Sequence, residues 1–414
     1  MSYQPVKGTK DYYPTDKGIM NWIAVAFRKN AIRYGFLEIE SPALESLSLL
    51  YEKEGEEIKE QIFTLEKRSN EQLGLRFDIT VPVARMFIAK QKELPKPVKW
   101  FYITRMWRYE RPQKGRSREF YQFGVELIGS ESIEADAQCI SLVIDCFKEL
   151  GLTEKDFVLK LNSRDLLQGM LEELKIEKIT EVMTIIDKIA KIPETEFIQQ
   201  LETLGLKQDT IKKLDAMLKQ KDISKIKVNG KKAKDGLEKL KRLMALLDDK
   251  KKFIEFAPSI VRGLAYYNGI VYEAFDREGK YRALCGGGRY DDMIKQFGGS
   301  PEPACGFGVG FETITLLLDE KEKLPDADIG VDYYIVTVND AAKEYANKVA
   351  SELRKNYRVD VDLMGRNINK QLDFASKTGA KKVVIIGEDE IKSGKLTVKD
   401  MVTGKEKKVK VGEI

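Results

Sequence analysis

The sequence predicts an α+β protein: a domain on an antiparallel sheet, a helical insertion within it, and a C-terminal α/β domain. Three stretches carry that expectation. Val98 to Gly129 reads as a strand, an arginine-rich loop and a return strand. Residues 166–250 switch to Leu, Ile, Lys and Glu at helical spacing. From Tyr333 onward strands and helices alternate, the pattern of a parallel sheet with helices on both faces. The expected bounds are 1–165 and 251–324 for the first domain, 166–250 for the insertion and 330–414 for the last.

The 414 residues allow two or three domains, each with its own core. Hydrophobic content of 43% and charge of 33% indicate a soluble globular protein. No apolar run reaches the length of a membrane span, and the N-terminus lacks a signal-peptide core, so a cytoplasmic protein without membrane contact is expected. The net charge of +5 permits nucleic-acid binding without requiring it. Cys139, Cys146, Cys285 and Cys305 lack metal-ligand spacing, so buried thiols and no metal site are expected. The chain contains no histidine, which excludes a protein imidazole as general base, metal ligand or triad member.

Along the chain, K-G-T-K-D-Y-Y-P (residues 7–14) is a turn-rich entry, and in residues 18–33 Ile19, Trp22, Ile23, Val25, Ala26 and Phe27 recur at helical spacing. Tyr34 to Pro42 is a strand closed by proline. In Leu73 to Arg85, alternation would set Arg76, Asp78 and Thr80 on one face and Leu75, Phe77 and Ile79 on the other. A recessed carboxylate at Asp78 suits a ligand's ammonium group, or an ion pair with Arg76. The central stretch holds Arg105, Arg108, Arg111, Arg116 and Arg118, broken by Pro112 and Gly115. Arg108 and Glu110 would share a face of the incoming strand. On the return strand Phe120, Gln122, Gly124 and Glu126 line up as a ring, an amide, a gap and a carboxylate. Guanidinium forks beside such a sheet suit a polyphosphate, although a solvated hairpin with a charged tip carries the same pattern.

Ser132 to Leu150 is a helix and Phe157 to Asn162 a strand. The lysines dense from Lys207 to Lys252 read as a solvated helical surface. Gly286, Gly287 and Gly288 clear side chains where backbone must approach a ligand. Gly306 to Thr313 is a small-residue strand running into a helix, and Leu318 to Asp332 is a polar linker. Arg366, Asn367, Lys370 and Gln371 follow a strand end, where doubly wound sheets bind ligands.

The string R-x-E-R-P-Q-K-G-R-x-R-E-F-x-Q-x-G, residues 108–124, resembles motif two of the class II aminoacyl-tRNA synthetases and specifically the histidyl-tRNA synthetase family. L-R-F-D-I-T-V-P-V-A-R (75–85) looks like that family's archaeal and eukaryotic wording, and Tyr34–Pro42 resembles motif one, the dimer element. R-G-L-A-Y-Y-N-G (262–269) resembles the histidine-specific string R-G-L-D-Y-Y-T-G, with Ala265 where the commonest wording has Asp. Cys285–Asp291 is similar to the A-G-G-R-Y-D string, and Gly306–Thr313 looks like motif three. There Thr313 stands in place of an arginine that, in most class II enzymes, packs on the adenine and binds the γ-phosphate. Arg116 or Arg118 is expected to substitute in part. M-G-R-N-I-N-K-Q-L-D-F-A (364–375) resembles the anticodon-binding domain shared by class IIa enzymes.

The resemblance implies activation of L-histidine with ATP to histidyl-adenylate and transfer to tRNA(His), with Mg²⁺ accompanying ATP, in a homodimer. It implies that Arg108 and Arg262 flank the α-phosphate. Asp78, Thr80 and Gln122 would hold the amino acid's backbone end, Glu126 would accept the imidazole N–H, and Tyr266 and Tyr267 would line its pocket. Glu110, Arg116, Phe120 and Gly310 would meet ATP, Phe120 by stacking on the adenine. Arg366, Asn367, Lys370 and Gln371 would meet tRNA. The regulatory subunit of ATP phosphoribosyltransferase, which binds histidine without charging tRNA, looks like the same core. Retention of Arg262, the motif-two arginines and a C-terminal domain favours the enzyme. The string R-G-L-x-Y-Y disfavours a synthetase for glycine, proline or threonine.

Overall fold

A computed structural model describes residues 3–51, 59–67, 70–189, 192–262, 266–326 and 330–413. Two units result, Met1–Asp11 with Met20–Leu324, and Tyr12–Ile19 with Pro325–Ile414. The strands of the first unit are β1 (Leu37–Glu38), β2 (Leu44–Ser46), β3 (Leu73–Leu75), β4 (Val98–Trp107), β5 (Glu119–Ile128), β6 (Phe157–Ser163), β7 (Ile254–Phe256), β8 (Ile270–Asp276), β9 (Cys285–Arg289) and β10 (Ala304–Gly310). Eight of them form one sheet in the order β1-β4-β5-β10-β9-β8-β6-β7. Its pairings are antiparallel except at the edges, where β1·β4 and β6·β7 run parallel. The expected α+β architecture on an antiparallel sheet is therefore present.

Side-chain alternation divides this sheet's faces. Phe101, Phe123, Val125 and Phe307 point to one face and are buried, with the Phe27 ring tilted against Phe123 at 4.9 Å. Tyr102, Gly124, Glu126 and Gly306 share the other, which carries the site.

The alternation expected through Thr80 ends early. Strand β3 stops at Leu75, Arg76 and Phe77 are both buried, and a helix runs from Thr80 to Lys90. Asp78 Oδ1 accepts the Thr80 N–H at 2.6 Å and so satisfies one of the helix's orphan donors. Arg76 pairs not with Asp78 but with Glu40, at 3.0 Å, and with Ser41 and Thr104. The polar stretch expected as a linker from Leu318 begins inside a helix that lasts to Glu320, and residues 327–329 lie outside those described.

Between β6 and β7 the described residues form helices and no strand, with Val182, Ile186, Leu201 and Leu214 in a shared core. Glycine permits the crossing of Arg164–Glu173 and Lys231–Leu246: a Cβ on Gly236 would lie 2.6 Å from Leu166 N.

The second unit contains β11 (Tyr333–Thr337), β12 (Val359–Val361), β13 (Lys382–Ile386), β14 (Lys395–Asp400) and β15 (Glu406–Lys410), ordered β12-β11-β13-β14-β15. The first three are parallel, as expected; β14 and β15 are antiparallel additions absent from the sequence reading. Tyr333 and Ile335 pack with the helix Ala342–Leu353, while Tyr334 and Val336 pack with Ala375 of Ile368–Lys377. All four cysteines are free and buried. Among the described residues no helix is long and apolar enough to cross a membrane.

Candidate active site

The site face is floored by bare backbone. The register sets Tyr102, Gly124, Gly308, Gly286 and Glu273 in one row across β4, β5, β10, β9 and β8, and Glu126, Gly306 and Gly288 in the next. Adjacent strands lie about 4.8 Å apart, so three neighbouring glycines clear a trench about 10 Å wide. Side chains from the rim lie across it. A Cβ on Gly124 would overlap the Tyr102 hydroxyl, one on Gly308 the Gln122 amide, and one on Gly286 the Arg262 guanidinium.

One end of the trench is walled by tyrosines. Glu126 is 3% exposed and accepts a hydrogen bond from the Tyr290 hydroxyl. Tyr266 lies 4.8 Å from Tyr267 and 5.7 Å from Tyr290, ring to ring. Burial, then the charge of Asp78, pushes the Glu126 carboxyl well up, against an opposing hydrogen bond with Thr80. The same Asp78 charge acts on Tyr102, Tyr266 and Tyr267, whose hydroxyls are all raised, by burial first. They therefore stay protonated donors. Two carboxylates among such hydroxyls suit a small ligand that carries an ammonium group and a ring N–H.

The other end is cationic. Arg108 donates from Nε to the Phe77 carbonyl at 2.9 Å, lies 3.9 Å from Asp78, and sits 5.2 Å above the Phe120 ring. Strand β4 stops at Trp107, so Arg108 and Glu110 belong to the loop rather than to a strand face, and Glu110 pairs with Arg116. Gly310, opposite Gln122, ends β10 with nothing crowding it. Gln122 Nε2 donates to the Tyr102 hydroxyl at 3.2 Å, which links the two ends. Of the remaining arginines, Arg105 binds Glu119 at 2.8 Å, and Arg111 is exposed. Arg118 is committed to structure: it donates to the Glu110 and Lys7 carbonyls and covers Tyr109 at 4.1 Å. The opening K-G-T-K packs here, with Gly8 in the left-handed region at φ +89° against Arg118 and Pro112.

Arg262 reaches the trench from a left-handed backbone, φ +68°. The brace was not legible beforehand: Asn162 Nδ2 donates to the Pro258 and Ile260 carbonyls at 2.9 Å each, and Arg164 Nη1 to those of Val261 and Arg262. Tyr290, which caps Glu126, likewise carries no signal of that role in the sequence. Gly263, Leu264 and Ala265, with the Ala265 departure, lie outside the described residues.

In the second unit Asn367 caps the helix Ile368–Lys377 by accepting from Lys370 N at 3.0 Å, and both residues are exposed. Arg366 pairs with Asp362 at 2.8 Å beneath the Phe374 ring. Gln371 is the exception to the expected tRNA-facing set. It is 2% exposed and spends its amide on Thr337 N, Thr337 O and Arg366 O. Gln371→Ala is expected to lower unfolding stability by about 1–3 kcal/mol in a denaturant melt, because it strands buried backbone groups.

The family model for histidyl-tRNA synthetase matches residues 8–314, and that for an anticodon binding domain matches 332–414. The chain belongs to the histidyl-tRNA synthetase family. It is 36% identical over 420 residues to the histidine–tRNA ligase of Pyrococcus furiosus, across 99% of this chain and 97% of that protein. The crystal structure of histidyl-tRNA synthetase from Nostoc sp. PCC 7120 superposes with a TM-score of 0.84 at 25% identity, over 100% of this chain and 99% of that one. An ATP phosphoribosyltransferase regulatory subunit/histidyl-tRNA synthetase from Bacillus halodurans shares the fold, with a TM-score of 0.78 at 24% identity over 92% and 98% of the two chains. Members of this synthetase family are aminoacyl-tRNA ligases that take ATP as substrate.

Proposed function

We propose that the chain activates L-histidine with ATP in the trench and transfers the histidyl group to tRNA(His). The observation that carries this is one glycine-floored cleft joining a two-carboxylate, tyrosine-walled end to an arginine end. In this reading Asp78, Thr80 and Gln122 hold the ammonium and carboxylate end of histidine, and Glu126 accepts the imidazole N–H between Tyr266 and Tyr267. Separating histidine from a near isostere then rests on a buried polar contact, the strong kind of discrimination. The histidine carboxylate attacks the α-phosphorus of ATP in line, its bond to the bridging oxygen breaks, and pyrophosphate leaves. Arg108 and Arg262 flank that phosphate and oppose its developing charge, while Phe120 stacks on the adenine beside Glu110, Arg116 and Gly310. Mg²⁺ would accompany the ATP phosphates as their counter-ion.

Arg366, Asn367 and Lys370 are the proposed tRNA contacts of the second unit, on the exposed end of the parallel strands. A homodimer in the cytoplasm is part of the proposal. It is supported by exposed Val25, Ile32, Leu37 and Leu44, an apolar set around the motif-one stretch.

The purified chain is expected to catalyse histidine-dependent ATP–pyrophosphate exchange and to charge tRNA(His). Absence of exchange, with histidine still bound in calorimetry, would turn the reading to a histidine-binding regulatory module.

A further inference from the structure

Motif three ends at Thr313, and the loop arginines expected to stand in for the missing one are occupied: Arg118 by backbone carbonyls, Arg116 by Glu110. Beside Thr313 lies a cavity of about 240 Å³, lined by Lys114, Lys280, Tyr281, Arg282, Thr313 and Glu320. Gly115, left-handed at φ +73°, brings the loop against this helix: a Cβ there would lie 3.3 Å from Leu316 and 3.8 Å from the Thr313 hydroxyl.

The charges around the cavity do not balance. Glu320 accepts from Lys280 at 2.8 Å, Tyr281 at 2.6 Å and Lys321 at 3.2 Å, so it is fully engaged. Among the described residues Lys114 has no ion pair; its ammonium stands 5.7 Å from the Tyr281 ring centre. Arg282 has neither a hydrogen bond nor an ion pair among them. Its guanidinium pKa is lowered, by desolvation first and then by the charge of Arg108. Arg282 is exposed and Arg108 half-buried, and the two like charges act on one another, an arrangement that a polyanion relaxes. The short Thr313 side chain leaves the space open that a longer residue would fill.

We propose that Arg282, with Lys114 beside it, binds the terminal phosphates of ATP and the departing pyrophosphate, in place of the arginine absent at position 313. The assignment rests on the adenylation reading above. A planar guanidinium offers phosphate a two-point contact, and the Arg282 fork has its donors free.

In exchange assays Arg282→Ala is expected to raise KM for ATP and for pyrophosphate about ten- to a hundredfold, the value of one hydrogen bond to a charged group. KM for histidine and the melting temperature should not move. Thr313→Arg introduced into Arg282→Ala should recover much of the ATP KM by refilling the cavity with a guanidinium. An ATP KM unchanged by Arg282→Ala overturns the proposal while leaving adenylation intact. Calorimetric titration with inorganic tripolyphosphate, which needs no adenylation, makes the same comparison if the parent shows no exchange. Weaker binding to Arg282→Ala supports the subsite, and equal binding to the two proteins overturns it.

Discussion

Arg262→Ala is expected to reduce the turnover of histidine-dependent exchange by about a thousandfold, near the upper range for loss of one preorganised charge-stabilising donor. The argument begins at the backbone. A non-glycine residue at φ +68° persists only where its surroundings enforce it, and here Asn162 and Arg164 pin the carbonyls of Pro258, Ile260, Val261 and Arg262. The side chain is then aimed. Its Nη1 lies 2.5 Å from Glu273, its carbon sits 5.3 Å from the Tyr267 ring centre, and its buried Nε has no partner among the described residues. Burial works against the charged form, and the Glu273 carboxylate paired with it opposes that, so the guanidinium stays charged. A fixed cation with a spare donor needs no reorganisation when charge builds on a phosphate.

The loss should therefore fall on kcat, with KM for histidine little changed. Arg262→Gly makes a useful companion because glycine accepts the left-handed backbone without strain. Gly286→Ala should reproduce the defect without touching the charge, because its methyl would occupy the guanidinium's place. The two lesions should not add, since both remove one interaction. A raised ATP KM at full kcat would instead make Arg262 a ground-state tether, and the assigned role would fall.

How much of this was legible beforehand depended on whether a residue's role lies in its own strand. The run Phe120, Gln122, Gly124, Glu126 was readable because β5 is regular and its period fixes the face. The alternating elements from Tyr333 to Ile386 were readable for the same reason. Asp78 and Thr80 were assigned a plausible chemistry on a wrong element, because L-R-F-D-I-T alternates well until a helix N-terminus interrupts it. Gln371 looked like a surface amide at a strand end, yet its amide ties the helix Ile368–Lys377 to Thr337 at the end of β11. Strand β15 reads Glu-Lys-Lys-Val-Lys, lysine-guarded as edge strands are, and carries little apolar signal. Arg282 had no signal at all. Its meaning arises only where loop, helix and sheet bring it to the cavity beside Thr313.

Glu126→Gln should separate stability from function. A buried carboxyl whose pKa is raised holds its proton more tightly in the folded chain than in the unfolded one. Its cost to stability is therefore absent below the unfolded value, grows as pH rises toward the folded value, and is full above it. The isosteric amide lacks that cost, so the histidine-free variant should melt higher than the parent at neutral pH. Histidine binding should move the other way. Replacing the charged partner of a buried hydrogen bond removes about 2–5 kcal/mol, so kcat/KM for histidine should fall at least thirtyfold or so, while KM for ATP stays. The contact needs the carboxylate form, so affinity in the parent should weaken as pH drops through the raised Glu126 range. Histidine itself titrates near 6.5, but the ratio of parent to variant cancels the substrate's own limb. With no histidine in the chain, the ring ¹⁵N resonances of bound labelled histidine, read on untagged protein, report the one imidazole in the complex. If the variant melts no higher, or binds histidine as tightly as the parent at every pH, Glu126 is not the group that reads the imidazole.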